Sequence, residues 1–219
     1  MKIGVLGTGD VGRAIATKLV SLGHEVVLGS RSRGNEKALA WVKETGERAG
    51  EGSFADAAAH GSIVFNCTKG EHSLAALAQA GAASLAGKIL VDVANPLDFS
   101  QGFPPSLTVC NTDSLGEQIQ RAYPATKVVK ALNTMWHGLM VSPRMLDDTH
   151  HTFLSGNDAE AKRVVRGLLE SFGWRPEEII DLGDITTARG TEMYLPLWVR
   201  IYGAMRSGAF NIKIVSAKS

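Results

Sequence analysis

The chain alternates short apolar runs with longer segments whose apolar residues recur every three or four positions. Residues 2–6, Lys2-Ile3-Gly4-Val5-Leu6, form a β-branched run suited to a strand buried on both faces. Val11, Ile15, Leu19 and Leu22 then fall at i, i+4, i+8 and i+11, the stripe of an amphipathic helix that Gly23 stops. The same alternation predicts a strand over Glu25–Gly29, a helix from about Asn35 to Arg48, and a weak third strand or loop near Gly50–Ser53. A short helix, Phe54 to His60, leads into a strand at Ile63–Asn66, and a helix over Glu71–Ala83 precedes a strand at Ile89–Val93. Residues Asn95 to Asn111 hold three of the prolines and read as a long loop. Beyond it the pattern predicts a helix over Ser114–Ala122, strands at Lys127–Leu132 and Thr152–Ser155, a helix over Ala159–Phe172 and a strand at Ile179–Leu182. Strands alternating with helices imply a doubly wound, mostly parallel α/β sheet covered by helices on both faces.

Near the C-terminus, Tyr194, Leu197, Trp198, Ile201, Tyr202 and Met205 form a helical stripe at i, i+3, i+4, i+7, i+8 and i+11. Met193, Leu195 and Val199 are apolar as well, so this helix is expected to be buried on two sides. Pro196 suits its first turn or a kink. A core helix within one chain and a helix packed partly against a partner subunit fit this pattern equally.

The first strand and helix are joined by Gly7-Thr8-Gly9-Asp10-Val11-Gly12, a G-x-G-x-x-G spacing between a strand and a helix with a second strand following. Gly7 permits the tight turn out of the strand, Gly9 lets a pyrophosphate approach the backbone, and Gly12 lets the helix lie close to the strand. The unpaired N–H groups at the helix start favour an anion there. A Rossmann-type dinucleotide site over Gly7–Gly12 is the expectation, carried by residues 1–134. Residues 135–219 are expected to be a small C-terminal α/β extension packed on that body, bearing the acceptor site and dimer contacts, and not an independent domain.

NAD-specific folds place Asp or Glu at the end of the second strand. Here that position reads Gly29-Ser30-Arg31-Ser32-Arg33, with Lys37 one helical turn later. A guanidinium forks onto a 2′-phosphate and serine hydroxyls donate to it, which predicts NADP(H). Ser30 and Arg31 are the main expected contacts, with Arg33 or Lys37 assisting. Ligands of such sheets lie outside the carboxyl ends of the strands. Thr68 and His72 are therefore expected on the adenosine or pyrophosphate side, and Ala94 and Asn95 near the nicotinamide.

With 44% hydrophobic residues among 219, the chain can bury a good core. A net charge of +1 gives no electrostatic footprint for nucleic acid or an anionic membrane, and no apolar run approaches spanning length. Cys67 and Cys110 have neither metal nor redox spacing, so reduced thiols and a cytoplasmic location are expected. His137, Lys130 and the Asp147-Asp148, His150-His151 stretch are the candidate acid or base groups; none has a partner at diagnostic spacing, and the paired histidines read as solvated, with no metal site. Hydride exchange between a nicotinamide and a flavin-like ring asks little of side chains, because both reactants are cofactors held face to face.

These residues resemble the coenzyme F420-dependent NADP oxidoreductases. The resemblance rests on the glycine motif, on Leu22-Gly23-His24-Glu25-Val26-Val27-Leu28-Gly29-Ser30-Arg31 and on Glu71-His72. It continues through Lys130-Ala131-Leu132-Asn133-Thr134, Ser155-Gly156-Asn157-Asp158-Ala159, Asp181-Leu182-Gly183-Asp184-Ile185, Ala188-Arg189 and Glu192. The same pattern is similar to the oxidoreductase domain of the STEAP metalloreductases. The resemblance implies a homodimer, NADP at the glycine motif and Ser30-Arg31, and a deazaflavin stacked on the nicotinamide. It implies an acceptor cleft lined by the loop after the fifth strand, the Asn133–Met140 segment and the C-terminal helix, with Asn133, Thr134 and His137 as candidates. Trp136-His137 is bulkier than expected of F420-specific members in that cleft, so F420, a flavin, a quinone or another small organic acceptor stays open. The alternatives are a non-catalytic NADP(H)-binding redox sensor and a reductase of another small substrate, such as a β-hydroxyacid dehydrogenase or imine reductase, whose appended helical domain would need more chain than is available here.

Overall fold

The computed structural model describes residues 1–217, so the last two residues of the expected extension lie outside it. The first half runs β1 (Lys2–Leu6), α1 (Asp10–Ser21), β2 (Glu25–Ser30), α2 (Glu36–Thr45), β3 (Ala49–Ser53), α3 (Phe54–His60) and β4 (Ile63–Asn66). Then come α4 (Gly70–Ala80), α5 (Ala82–Leu85), β5 (Ile89–Asp92), β6 (Leu97–Asp98), β7 (Ser106–Leu107), α6 (Leu115–Ala122) and β8 (Lys127–Ala131). The chain continues as α7 (His137–Val141), β9 (Thr152–Gly156), α8 (Ala159–Phe172), β10 (Ile179–Asp181), α9 (Ala188–Met193) and α10 (Leu195–Met205).

Eight strands form one sheet in the order β10-β9-β8-β5-β4-β1-β2-β3. Every neighbouring pair is parallel except β8 and β9, which run antiparallel. The central strands are buried on both faces, as their unbroken Val, Ile and Leu runs require. One face carries the stripes of α1, α2, α7 and α8, including Ile15, Leu19, Trp41, Leu139 and Leu169. The other carries α3 to α6 and α9, including Ala57, Leu77, Leu85, Ile119 and Ala188. The residues beyond 134 thus add two strands to the same sheet and helices to both of its layers.

Local chemistry explains most of the boundaries. Asn35 caps α2, its side chain accepting from the Lys37 and Ala38 amides, so that helix begins one residue later than its pattern suggests. Ser53 and Asp56 form a reciprocal capping box on α3. Gly81 splits the helix expected over Glu71–Ala83 into α4 and α5. The loop expected over Asn95–Asn111 contains the small antiparallel pair β6–β7, too short to leave a periodic signal.

Within the chain, α10 is covered on only one of the two sides expected to be buried. Leu195 and Val199 are buried and Trp198 is turned into a cleft, but Leu197 is 57%, Tyr202 42% and Met205 56% exposed, so half of the long apolar stripe faces outward. The covered side is the narrower one, facing the sheet body. No helix of the described residues is long and apolar enough to cross a membrane.

At the start of α6, Ser114 caps the helix and Glu117 receives both arms of the Arg189 guanidinium at 2.8 and 2.5 Å. That fork holds Glu117 below the usual glutamate value, against the opposing effect of burial. A depressed carboxylate stabilises the folded state above its unfolded pKa and loses that contribution as pH falls. Arg189→Met is therefore expected to lower Tm at neutral pH by roughly 2–4 °C, for about 1 kcal/mol. Its Tm should also fall less than that of the parent between about pH 5 and about pH 3; thermal melts across that range check both.

Candidate active site

The strand order reverses between β1 and β4, and the loops leaving these strands flank a crevice at that point. Gly7 turns there with φ +116°, its N–H donating to the Gly29 carbonyl at 2.9 Å. A Cβ on Gly12 would stand 1.9 Å from the Gly7 carbonyl oxygen, so only glycine lets α1 seat against the end of β1. Gly9 is the N-cap of α1, makes no side-chain cap bond, and has no atom within 4 Å of where its Cβ would lie. The first turn of α1 therefore presents its amides and positive dipole end to open space, which fits a pyrophosphate. Asp10 lies on this turn, but Arg13 donates to its carboxylate at 2.6 Å, lowering its pKa and balancing its charge.

At the end of β2, Ser30 is buried and donates its hydroxyl to the Ser32 carbonyl at 2.5 Å. Arg33 sits differently from expectation. Its guanidinium forks onto Asp56 at 2.7 and 2.5 Å, while the Gly34 amide donates to Glu51, so β3 and α3 tie down the 30–34 loop. The Arg33 fork and the Ser53 hydroxyl and amide hold Asp56 far below the ordinary carboxylate range. Arg31 and Lys37 remain exposed, with no hydrogen-bond or ion-pair partner among the described residues.

Beside the glycine turn opens a cleft of about 210 Å³. Its apolar walls are Val11, Val93, Ala94, Leu97, Phe99, Met135, Met140, Leu195 and Trp198, with Thr68, Asn95 and Asn133 as polar points and Lys69 and Glu71 as charged ones at the start of α4. Asn95 and Asn133 hold one another, Asn95 Nδ2 donating to the Asn133 carbonyl at 2.8 Å and Asn133 Nδ2 to Asn95 Oδ1 at 2.9 Å. Leu132, at φ +62°, bends the chain out of β8 to bring this about, a conformation a branched side chain adopts only under constraint. Thr68 Oγ1 donates to Asn66 Oδ1 at 2.7 Å. Cys67 also lines the cleft, and burial pushes its thiol up, so it stays protonated.

Three candidates fall outside the cleft. His137 lines a separate groove with Asp10 and Arg13, its ring 4.9 Å from that of Trp136; burial pushes it below the usual histidine value. The Trp136-His137 pair accordingly leaves the cleft unobstructed, the Trp136 ring packing against Gly208. His72 is exposed on α4, 3.6 Å from Glu71. Thr134 is buried, and its hydroxyl has no partner among the described residues.

Lys130 is not a solvent-facing acid or base either. It is 1% exposed, with Nζ 2.6 Å from Asp92 Oδ2, 2.7 Å from Glu192 Oε1 and 2.7 Å from the Ala94 carbonyl. Burial alone would lower its pKa, but the two carboxylates outweigh it and hold the ammonium charged. His150 and His151, expected in solvent, are buried. His150 bonds the Pro143 carbonyl and Asn211, and His151 Nδ1 accepts from the Ile214 amide, so the 208–214 segment lies across them. Phe210 of the same segment stacks on Trp198, at 5.4 Å between ring centroids. Among the described residues no group of three or more His, Cys, Asp or Glu side chains is placed to hold a metal.

A parallel sheet whose strand-end crevice carries an uncapped glycine turn defines a Rossmann-type dinucleotide-binding protein. Residues 2–96 match the profile of the coenzyme F420-dependent NADP oxidoreductases. A proposed F420-dependent NADP reductase of Arthrobacter sp. FB24 shares 53% identity, with TM-score 0.93 over 99% of this chain and 100% of that one. The metalloreductases STEAP3 of Rattus norvegicus and STEAP2 of Homo sapiens are 34% and 28% identical over 90% and 89% of this chain. The chain spans only 38% and 36% of their lengths. The chain belongs to the coenzyme F420-dependent NADP oxidoreductase family.

Because the Gly7 carbonyl leaves no room for a Cβ at position 12, Gly12→Ala must push α1 off β1. Such overpacking costs about 1–3 kcal/mol, an expected Tm loss of roughly 3–10 °C, and it displaces the first-turn amides. A thermal melt together with calorimetric titration of NADP is expected to show both the Tm loss and weakened binding.

Proposed function

We propose that this protein transfers hydride between NADP(H), bound across the glycine turn, and a flat deazaflavin (F420) or flavin-like acceptor lodged in the cleft beside it. The observation that carries the reading is the apolar cleft opening directly onto the anion-binding turn of α1, while Arg31 and Lys37 stand without protein partners at the end of β2. The first-turn amides of α1 hold the pyrophosphate. Arg31 forks onto the 2′-phosphate with Lys37 beside it, and Arg33, bound to Asp56, fixes the loop that carries Arg31. Asn95 and Asn133 give the reacting end its polar edge, and the apolar walls exclude water. The nicotinamide supplies the hydride chemistry when bound. The protein's own task is to hold two rings in contact; the proton that the reduced acceptor takes up besides the hydride is supplied from solvent.

A second copy of the chain is the proposed cover for the outward side of α10, which exposes Leu197, Tyr202 and Met205 and is approached at Gly203 by the exposed Phe103. Such a patch is costly to leave in water.

Two measurements test these readings. Arg31→Ala is expected to weaken NADPH binding by about ten- to a hundredfold while leaving NADH nearly unchanged, since each charge-assisted bond contributes roughly 1.5–3 kcal/mol. Equal effects on both nucleotides would refute the assignment. Mixing the protein with NADPH and F420, FMN, FAD or a quinone, followed at the nicotinamide absorbance band, should show oxidation by F420 or a flavin. Tight NADPH binding with no oxidation by any of them would indicate a sensor instead.

A further inference from the structure

Beneath the cleft lies a buried polar network, and Lys130 stands at its centre. An ammonium has three N–H donors, and all three find acceptors here: Asp92 Oδ2, Glu192 Oε1 and the Ala94 carbonyl. Each arm ends at a different part of the site. The bond to Ala94 fixes the peptide from which Asn95 leaves β5. Asp92 Oδ1 accepts from Asn66 Nδ2 at 2.8 Å, and Asn66 Oδ1 in turn accepts from Thr68 on the opposite wall. Glu192 accepts from the Leu115 and Gly116 amides at 2.8 and 3.0 Å, anchoring the helix that precedes α10. Lys130 itself does not line the cleft.

Stability gives little reason to put a lysine there. A buried ion pair costs several kcal/mol in lost hydration, and apolar residues of similar volume generally serve as well or better. The shape of the network offers another reason, since one charged group sets the spacing of both cleft walls. We propose that Lys130 is a positioning residue for the nicotinamide end of the cofactor, acting through the Ala94–Asn95 peptide and the Thr68 wall. The proposal rests on the placement of NADP(H) given above. It predicts that the network governs the cleft and has no influence on the Arg31 end, which follows β2 and is separated from β5 by β4 and β1.

The test compares two ligands by calorimetry. Adenosine 2′,5′-bisphosphate occupies only the phosphate and adenosine half, whereas NADP also reaches the cleft. Breaking the network by Lys130→Met alone strands two buried carboxylates, so the main variant is the charge-free triple Asp92→Asn, Lys130→Met, Glu192→Gln. A folded triple variant is expected to bind the bisphosphate within about twofold of the parent and NADP about tenfold more weakly. Lys130→Met is the second variant, expected to show the same split. Unchanged NADP binding in the triple variant, or equal losses for both ligands, would overturn the proposal. Loss of a cooperative melt in both variants would mark the network as needed for folding itself and would also overturn it. A parent protein that binds neither ligand would instead overturn the underlying placement of NADP, and this proposal with it.

Discussion

An ammonium taken out of water forfeits several kcal/mol of hydration, and Lys130 recovers it only because every N–H has an acceptor in place. Moving any one partner would leave an ammonium N–H without its acceptor, so β5, β8 and α9 cannot shift independently. The C-terminal residues are thereby bound into the body at its least accessible point, by charge, as well as through the strands they add. The cleft forms where these elements meet, and the Asn95–Asn133 pair at its rim continues the same polar seam toward solvent.

The two halves of the crevice are built on opposite electrostatic plans. Around the glycine turn and β2, exposed cations and uncapped amides await an anion, and carboxylates are neutralised where they intrude. Asp10 is paired with Arg13, and Asp56 with Arg33. On the cleft side the walls are mostly apolar, the Cys67 thiol is kept neutral by burial, and one charged cluster, around Lys130, lies a layer further in, while Lys69 and Glu71 stand at the α4 edge. A mostly apolar cavity over a hydrogen-bonded network suits transfer between two flat rings.

Much of this was legible in the residues because its causes are local. Apolar runs mark β1, β4 and β5; the G-x-G-x-x-G spacing marks the turn; Ser114 marks the start of α6. What escaped depends on partners distant in sequence. Arg33 and Lys37 look equivalent until Asp56, 23 positions beyond Arg33, takes one of them. His150-His151 reads as polar loop because the residues that bury it come about sixty positions later, with Asn211 61 positions from His150. For α10, apolar residues lie around most of the circumference, so periodicity finds a stripe without saying which side the body covers. Lys130 could be seen as a lysine in an apolar strand, which alone suggests a buried partner, but its pairing with Glu192 is set only by the fold.

The reversal of β9 against β8 sends the chain back across the sheet before α10 brings Leu195 and Trp198 to the far wall of the cleft. The nucleotide turn is assembled from residues close together in the chain, while Glu192 reaches the start of α6 from 77 positions away. On the ribosome, the nucleotide half has all its parts long before the wall that faces the acceptor has been synthesised. A nascent chain can therefore own a cradle for phosphates while its second chamber is still open to water, and the two become one compartment only when the later helices dock.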